Sequence, residues 1–395
     1  MKHWIALTLV FALQATAADW RQFRGLQGNG VTSDRNLPVT LNKKNLKWTI
    51  TLPGRGLSGA LVLGEKIIVT CSSGITQNRL HILALNAKDG SLIWHRQFWA
   101  TGRTMCHGKT SVAAPTPCSD GKKIFAVFSS NDVICLDLDG NLQWLRGLTA
   151  DYANVSNSLG MSSSPLLIGS AIIVQVENDS ESYTLALNKR TGVNLWKLNR
   201  PKAANWTSPV RLTNTLIALQ SKNGIDAIRT ADGTKAWSYD GGASTIPSST
   251  LSGSVLYVPS RGITALELNS ADAENTPKEL WQSPRLSPGT ASPVVLGNKV
   301  FTINGAGVLT AGNLQTGERI WQTRLKGPFS ATPVATTTHL FCVNETGLLQ
   351  VVDTRGKEGE ITGTLNLDDT ILGSPAVGGG AIYLRSNTKI YKLSE

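Results

Sequence analysis

Adjacent cysteines are absent from this 395-residue chain, and so is any C-x-x-C-H run. Its five cysteines are too few for a disulfide-stapled scaffold and offer no covalent haem attachment. The histidines at 81, 95, 107 and 339 are scattered without zinc-type spacing, and neither a P-loop nor a G-x-S-x-G elbow occurs. Charge is sparse at 16%; the net charge of +11 contains no run of five Lys or Arg, which argues against a nucleic-acid stripe. The balance favours solubility and anionic partners. Long helical periodicity is missing as well. What the chain has instead is 38 Gly and 11 Trp, the composition of short strands joined by tight turns.

The first residues, MKHWIALTLVFALQATAADW, place Lys2 before an apolar run from Trp4 to Leu13 and small residues at Ala15 and Ala17. This predicts a signal peptide over 1–18, cut near Ala17 or Ala18, because the run is too short to span a bilayer. No Cys follows it to carry a lipid. The expected product is a periplasmic or secreted monomer without a membrane span, an extended arm over 19–44 and one domain over 45–395.

The pattern A-x-[N/D]-x-x-[T/D]-G-x-x-x-W recurs at 84–94, 186–196, 227–237 and 311–321, one residue short at 135–144 and lengthened at 265–281. It reads as a strand, a tight [T/D]-G turn and a Trp-bearing strand. Small residues and Pro at 117, 165, 209, 247, 293, 333 and 375 open each unit. Four strands per unit and a period of roughly 40 to 52 residues predict an all-β propeller. Trp48, Trp94, Trp144, Trp196, Trp237, Trp281 and Trp321 are the expected plates between blades. A degenerate unit over 329–367 lacks the Trp, and the lone strand at 46–52 pairs with three C-terminal strands to close the ring. The count is eight blades, or seven if the degenerate unit packs differently.

These repeats resemble the docking motif of the pyrroloquinoline quinone (PQQ) repeat, and the chain looks like a member of the PQQ-binding-like β-propeller family, the quinoprotein alcohol dehydrogenase-like propellers. W-x-x-F-R-G at 20–25 and LPGRG at 52–56 are similar to exported members. The resemblance implies one of two functions. Quinoprotein dehydrogenases hold PQQ and Ca²⁺ on the ring axis with a Glu, an Asn and an Asp, commonly under a vicinal disulfide. The other branch is non-catalytic and assists outer-membrane protein assembly by binding proteins. With no vicinal Cys pair here, the expectation is a non-catalytic binding or scaffolding module for a protein or polymer of the cell envelope, without cofactor. The alternatives are a PQQ/Ca-dependent alcohol or sugar oxidoreductase and a polysaccharide-binding propeller using Trp99, Tyr152 and Trp206 in one groove.

Strand parity sends three unusual loops to one face: 97–112, 147–162 and 177–182. They nominate a ligand-binding face of Arg103, His107, Lys109, Tyr152, Glu177, Asn178, Asp179, Glu181 and Trp206. The competing expectation is that the basic residues simply pair with the acidic turn. Hard oxygens at Glu177, Asn178 and Asp179 suggest a possible Ca²⁺ site. Cys106 and Cys118, flanking a blade opening, are the candidate disulfide. Cys71, Cys135 and Cys342 lie in strand patterns as buried thiols.

Overall fold

The computed structural model describes residues 19–155, 158–269 and 273–395, so the expected signal peptide lies outside the described residues. Eight sheets of four antiparallel strands form a ring. Blades 1 to 7 occupy 61–99, 118–147, 166–199, 210–239, 250–283, 294–324 and 334–366. Blade 8 takes its three inner strands from 376–394 and its outermost from Leu46–Thr51, which pairs antiparallel with Lys389–Ser394. The first strand thus covers the edge that the last would expose.

The repeated motif folds as a cross-strand pair. Ala186 lies opposite Trp196, Ala227 opposite Trp237 and Ala311 opposite Trp321, with a one-residue bulge just before each Trp. The bulged positions include Ile93, Leu195 and Ile320, which explains exposed aliphatic side chains beside buried tryptophans. Each Trp reaches forward to the next blade. Trp144 lies against the turn glycine Gly192, where a Cβ would approach its ring to 2.7 Å, and Gly192 takes φ 72°. The indole N–H groups of Trp94, Trp196 and Trp237 donate to Leu138 O (2.9 Å), Thr230 O (2.9 Å) and Ala273 O (2.7 Å).

Blade 7 keeps the bulge, between Val351 and Val352, but has Gly363 opposite Val351 where a Trp would stand. Residues 39–41 fill that space: a Cβ at Gly363 would lie 2.8 Å from Val39 O, and Thr362 Oγ1 donates to Val39 O at 3.1 Å. The degenerate unit is therefore a full blade. Because blade 7 lacks the turn motif, Trp321 Nε1 is buried without a partner.

The arm does more than extend. Trp20 pairs with Val62 of blade 1 and Val31 with Ala335 of blade 7, so the chain crosses beneath the ring between them. Arg24, at φ 63°, is buried there. It donates to Ser249 O (3.0 Å), to Pro293 O (2.7 Å) and to Thr250 Oγ1. Leu37 and Leu41 join the core shared by blades 7, 8 and 1.

Candidate functional site

The innermost strand of each blade is preceded by one small residue facing the axis: Gly59, Thr116, Ser164, Ser208, Ser248, Ser292, Thr332 and Ser374. Six of these precede the opening prolines that the sequence pattern marks, while Ser248 follows Pro247 and Gly59 has none. The main-chain N–H of each except Ser374 donates to the hydroxyl of the next blade. Gly59 N reaches Thr116 Oγ1 at 2.8 Å, Thr116 N reaches Ser164 Oγ at 3.0 Å, and Ser164 N reaches Ser208 Oγ at 2.9 Å. The chain continues through Ser248, Ser292 and Thr332 to Ser374 at 2.9–3.0 Å. Seven hydroxyls thus form a belt with one break, where Ser374 meets Gly59 between blades 8 and 1. Each oxygen accepts from the backbone, and among the described residues no protein acceptor takes its proton.

The belt divides the axis. On the loop face lies a cavity of about 420 Å³; on the arm face lies a second, of about 810 Å³, between the arm and blades 2 to 5. Phe23, Ser164, Ser208 and Ser248 line both, so the arm's phenylalanine and the belt form the partition. The upper cavity is a cup. Leu159, Trp206, Ile246 and Leu372 form apolar parts of its wall and mouth, and its two charged-type side chains are His107 and Lys109. No carboxylate and no carboxamide is among its described lining.

Two buried guanidiniums stand just behind the belt. Arg24 contacts the residues that follow Ser248 and Ser292, and Arg385, 1% exposed, donates to Ser58 Oγ at 2.5 Å beside Gly59. Neither has a carboxylate within 4.0 Å among the described residues, and Arg24 Nε, Arg385 Nε and Arg385 Nη2 are buried without partners. Burial lowers Arg24 to about 9 and Arg385 to about 10, so both remain cations at neutral pH. Buried cations of this kind are ordinarily paired.

The predicted loops do meet on this face. His107 N donates to Leu159 O at 3.1 Å, and Ser180 Oγ donates to Asn154 O. Of the predicted residues, His107, Lys109 and Trp206 reach the cup, with Trp206 Nε1 donating to Gly160 O at 2.9 Å. Arg103 is exposed, 4.0 Å from Met105 Sδ. The others form a separate cluster on blade 3. Tyr152 packs on Tyr183 at 4.6 Å, receives a hydrogen bond from Asn194 and lies under Lys197 Nζ, which also pairs with Glu181.

Four expectations are corrected. Lys109 does not pair with the acidic turn; it reaches Glu345 of blade 7 at 2.9 Å, where Ser330 also donates. Glu177 does not face a cation site with Asp179. Its carboxylate turns inward to Arg200 Nε (2.6 Å) and Asn205 Nδ2 (2.8 Å), Asp179 is exposed, and the Asn178 side chain caps the turn through Glu181 O and Ser180 N. Burial raises the Glu177 carboxyl against the pull of Arg200. Cys106 and Cys118 are free thiols: Cys106 packs beside Gln77 on the loop face, whereas Cys118 is buried below the belt inside blade 2. Trp99, Tyr152 and Trp206 do not share the cup; only Trp206 lines it, while Trp99 is 61% exposed under Arg79.

Sequence reasoning missed the belt, both buried arginines and a chain from Ser73 Oγ to His81 Nε2 (2.7 Å) and from His81 Nδ1 to His95 Nε2 (2.9 Å). A recurrent [S/T]-P dipeptide was the available signal for the belt. The donor set that a quinoprotein resemblance implies is not assembled in the cup, which offers hydroxyls, basic groups and apolar surface rather than hard anionic ligands for Ca²⁺. Among the described residues no three His, Cys, Asp or Glu side chains group as metal ligands.

Comparison with known proteins follows the same two branches. The family model described as outer membrane protein assembly factor BamB matches residues 30–239, 180–275 and 267–362. The solved structure of BamB from Moraxella catarrhalis is 17% identical with a TM-score of 0.66, covering 89% of this chain and 97% of that one. A europium-containing methanol dehydrogenase is 14% identical with a TM-score of 0.72, covering 96% and 98%. A polyvinylalcohol dehydrogenase from a Pseudomonas species is 24% identical over 193 residues, 43% of this chain but only 28% of the enzyme's length. With most of its blades matched by that one model, the chain belongs to the BamB-like family of PQQ-like repeat propellers.

Proposed function

We propose that this protein is an exported, non-catalytic propeller that binds polypeptides in the cell envelope, in the manner its BamB-like family suggests. The observation that carries the reading is the chemistry of the axial cup: a belt of seven hydroxyls, an apolar mouth and, among the described residues, no carboxylate or carboxamide in its lining. A site built this way suits a polypeptide segment, whose carbonyls accept from hydroxyls while its side chains meet Trp206 and the leucines. It does not suit Ca²⁺, which takes six to eight oxygens that are commonly carboxylates. No membrane-crossing helix occurs among the described residues, and export rests on the leader-like residues 1–18.

The test is a calorimetric titration of the mature protein with PQQ, with and without Ca²⁺, beside a titration with an unfolded outer-membrane β-barrel polypeptide diluted from urea. Binding of the polypeptide alone is the expected result. Tight, Ca²⁺-dependent PQQ binding accompanied by dye-linked alcohol oxidation overturns the reading.

A further inference from the structure

The cup has a floor, and the floor decides what can enter. Phe23 and three belt serines line both axial cavities and stand between them, a floor that favours seating an end or a side-chain tip over threading an extended chain through the ring. The group that reaches the belt meets donors. Each of the seven hydroxyls accepts one backbone N–H and, among the described residues, donates to no protein acceptor, so each has its hydrogen to give. At the mouth, Lys109 is balanced by Glu345, but behind the belt the charge is positive. Arg24 and Arg385 are buried cations without a carboxylate among the described residues; Arg24 lines the arm-face cavity, under Ser248 and Ser292, and Arg385 lies behind Ser58 and Gly59, so both act on the cup through the belt rather than from its wall. In low-dielectric surroundings such charges attract an anion far more strongly than surface lysines do. Higher up, Leu159, Trp206, Ile246 and Leu372 offer apolar surface next to the donors.

We propose that the axial cup captures the C-terminal carboxylate of an extended polypeptide, with the last side chains of that polypeptide against Trp206, Leu159, Ile246 and Leu372. This rests on the polypeptide-binding reading and adds to it the part of the partner that is recognised. A free organic carboxylate shares the anionic group but not the flanking apolar residues, for which the mouth would then have no use. An internal segment presents no negative charge to the belt's donors or to the guanidiniums behind them.

The experiment follows Trp fluorescence and calorimetry of the full mature protein with a short Val-Thr peptide ending in leucine. The peptide is prepared as the free acid, as the C-terminal amide and as a backbone cycle. The free acid is expected to bind, the amide about tenfold more weakly, as for loss of one charge-assisted contact, and the cycle not at all. Ile246→Trp fills the mouth from an exposed position and is expected to weaken the free acid about tenfold with an unchanged melting temperature. Ser208→Ala removes one belt hydroxyl and is expected to narrow the gap between acid and amide.

Equal affinity for acid, amide and cycle, untouched by Ile246→Trp, overturns the cup assignment while leaving polypeptide binding in place at another surface. Complete displacement of the peptide by acetate at matching concentration overturns the choice of a chain terminus in favour of a free carboxylate. PQQ binding in place of any peptide overturns the underlying reading instead.

Discussion

Each tryptophan plate is both a packing surface and a hydrogen-bond donor, and single substitutions separate the two roles. Trp196→Phe keeps most of the plate and loses the bond to Thr230 O, at a cost of about 1 kcal/mol. Trp321→Phe removes a buried N–H that has no partner and is expected to be neutral or stabilising. Trp196→Ala, which empties the interface, should cost about 3–5 kcal/mol. Urea unfolding midpoints rank the three. The His81 ring gives a pH dependence. Burial first, then His95 and Arg79, push it from its ordinary 6.5 down to about 4, while Ser73 and His95 hold its nitrogens. Between those values the unfolded chain binds the proton and the folded one does not. Stability from this residue is therefore complete above pH 6.5 and falls as the pH drops toward 4. Unfolding midpoints measured at pH 7 and pH 5 should differ in the native chain and differ less in His81→Asn.

Among the elements, the arm is the one whose removal tells most. Deleting 19–41 withdraws Trp20 from Val62, Arg24 from blades 5 and 6, and Leu41 from the place of the missing tryptophan. The expected result is a lower melting temperature, with hydrogen exchange rising first in blades 7 and 8 and in the innermost strands of blades 5 and 6. The ring itself was legible in the chain because its signals are local: an alanine and a tryptophan about ten residues apart face each other across one turn. The eighth blade was legible because a lone strand stood at one end and a set of three, one short of a blade, at the other. The belt was half legible. The opening prolines mark its place, but a serine that receives an N–H from a residue about forty positions earlier looks, in sequence, like any small residue. Arg24 and Arg385 could not be read at all, since burial beside the axis follows from the crossing of the arm and the closure of blade 8. The blade 3 acidic turn misled for a related reason: Glu177 and Asp179 are neighbours in the chain but point to opposite sides of a tight turn, one toward Arg200 and one to solvent.

At the scale of the molecule, closure depends on one pair of strands. Removing 389–394 strips blade 8 of the strand that pairs with both Ala381–Arg385 and Leu46–Thr51. Such a truncation is expected to lose cooperative unfolding and to elute as an expanded species, measurable by circular dichroism and gel filtration; a compact, cooperative product would show that seven blades suffice. The plates also have a direction. Trp48 bonds to Ala87, Trp94 to Leu138, Trp144 to Lys189 and Trp196 to Thr230, each reaching a turn that comes later in the chain. A polypeptide that emerges N-terminus first therefore presents every plate before its cover exists. Strand 46–51 waits longest, until the last residues arrive, so for almost the whole of its vectorial synthesis the protein carries an uncovered aromatic surface at its growing end and an open sheet at its beginning.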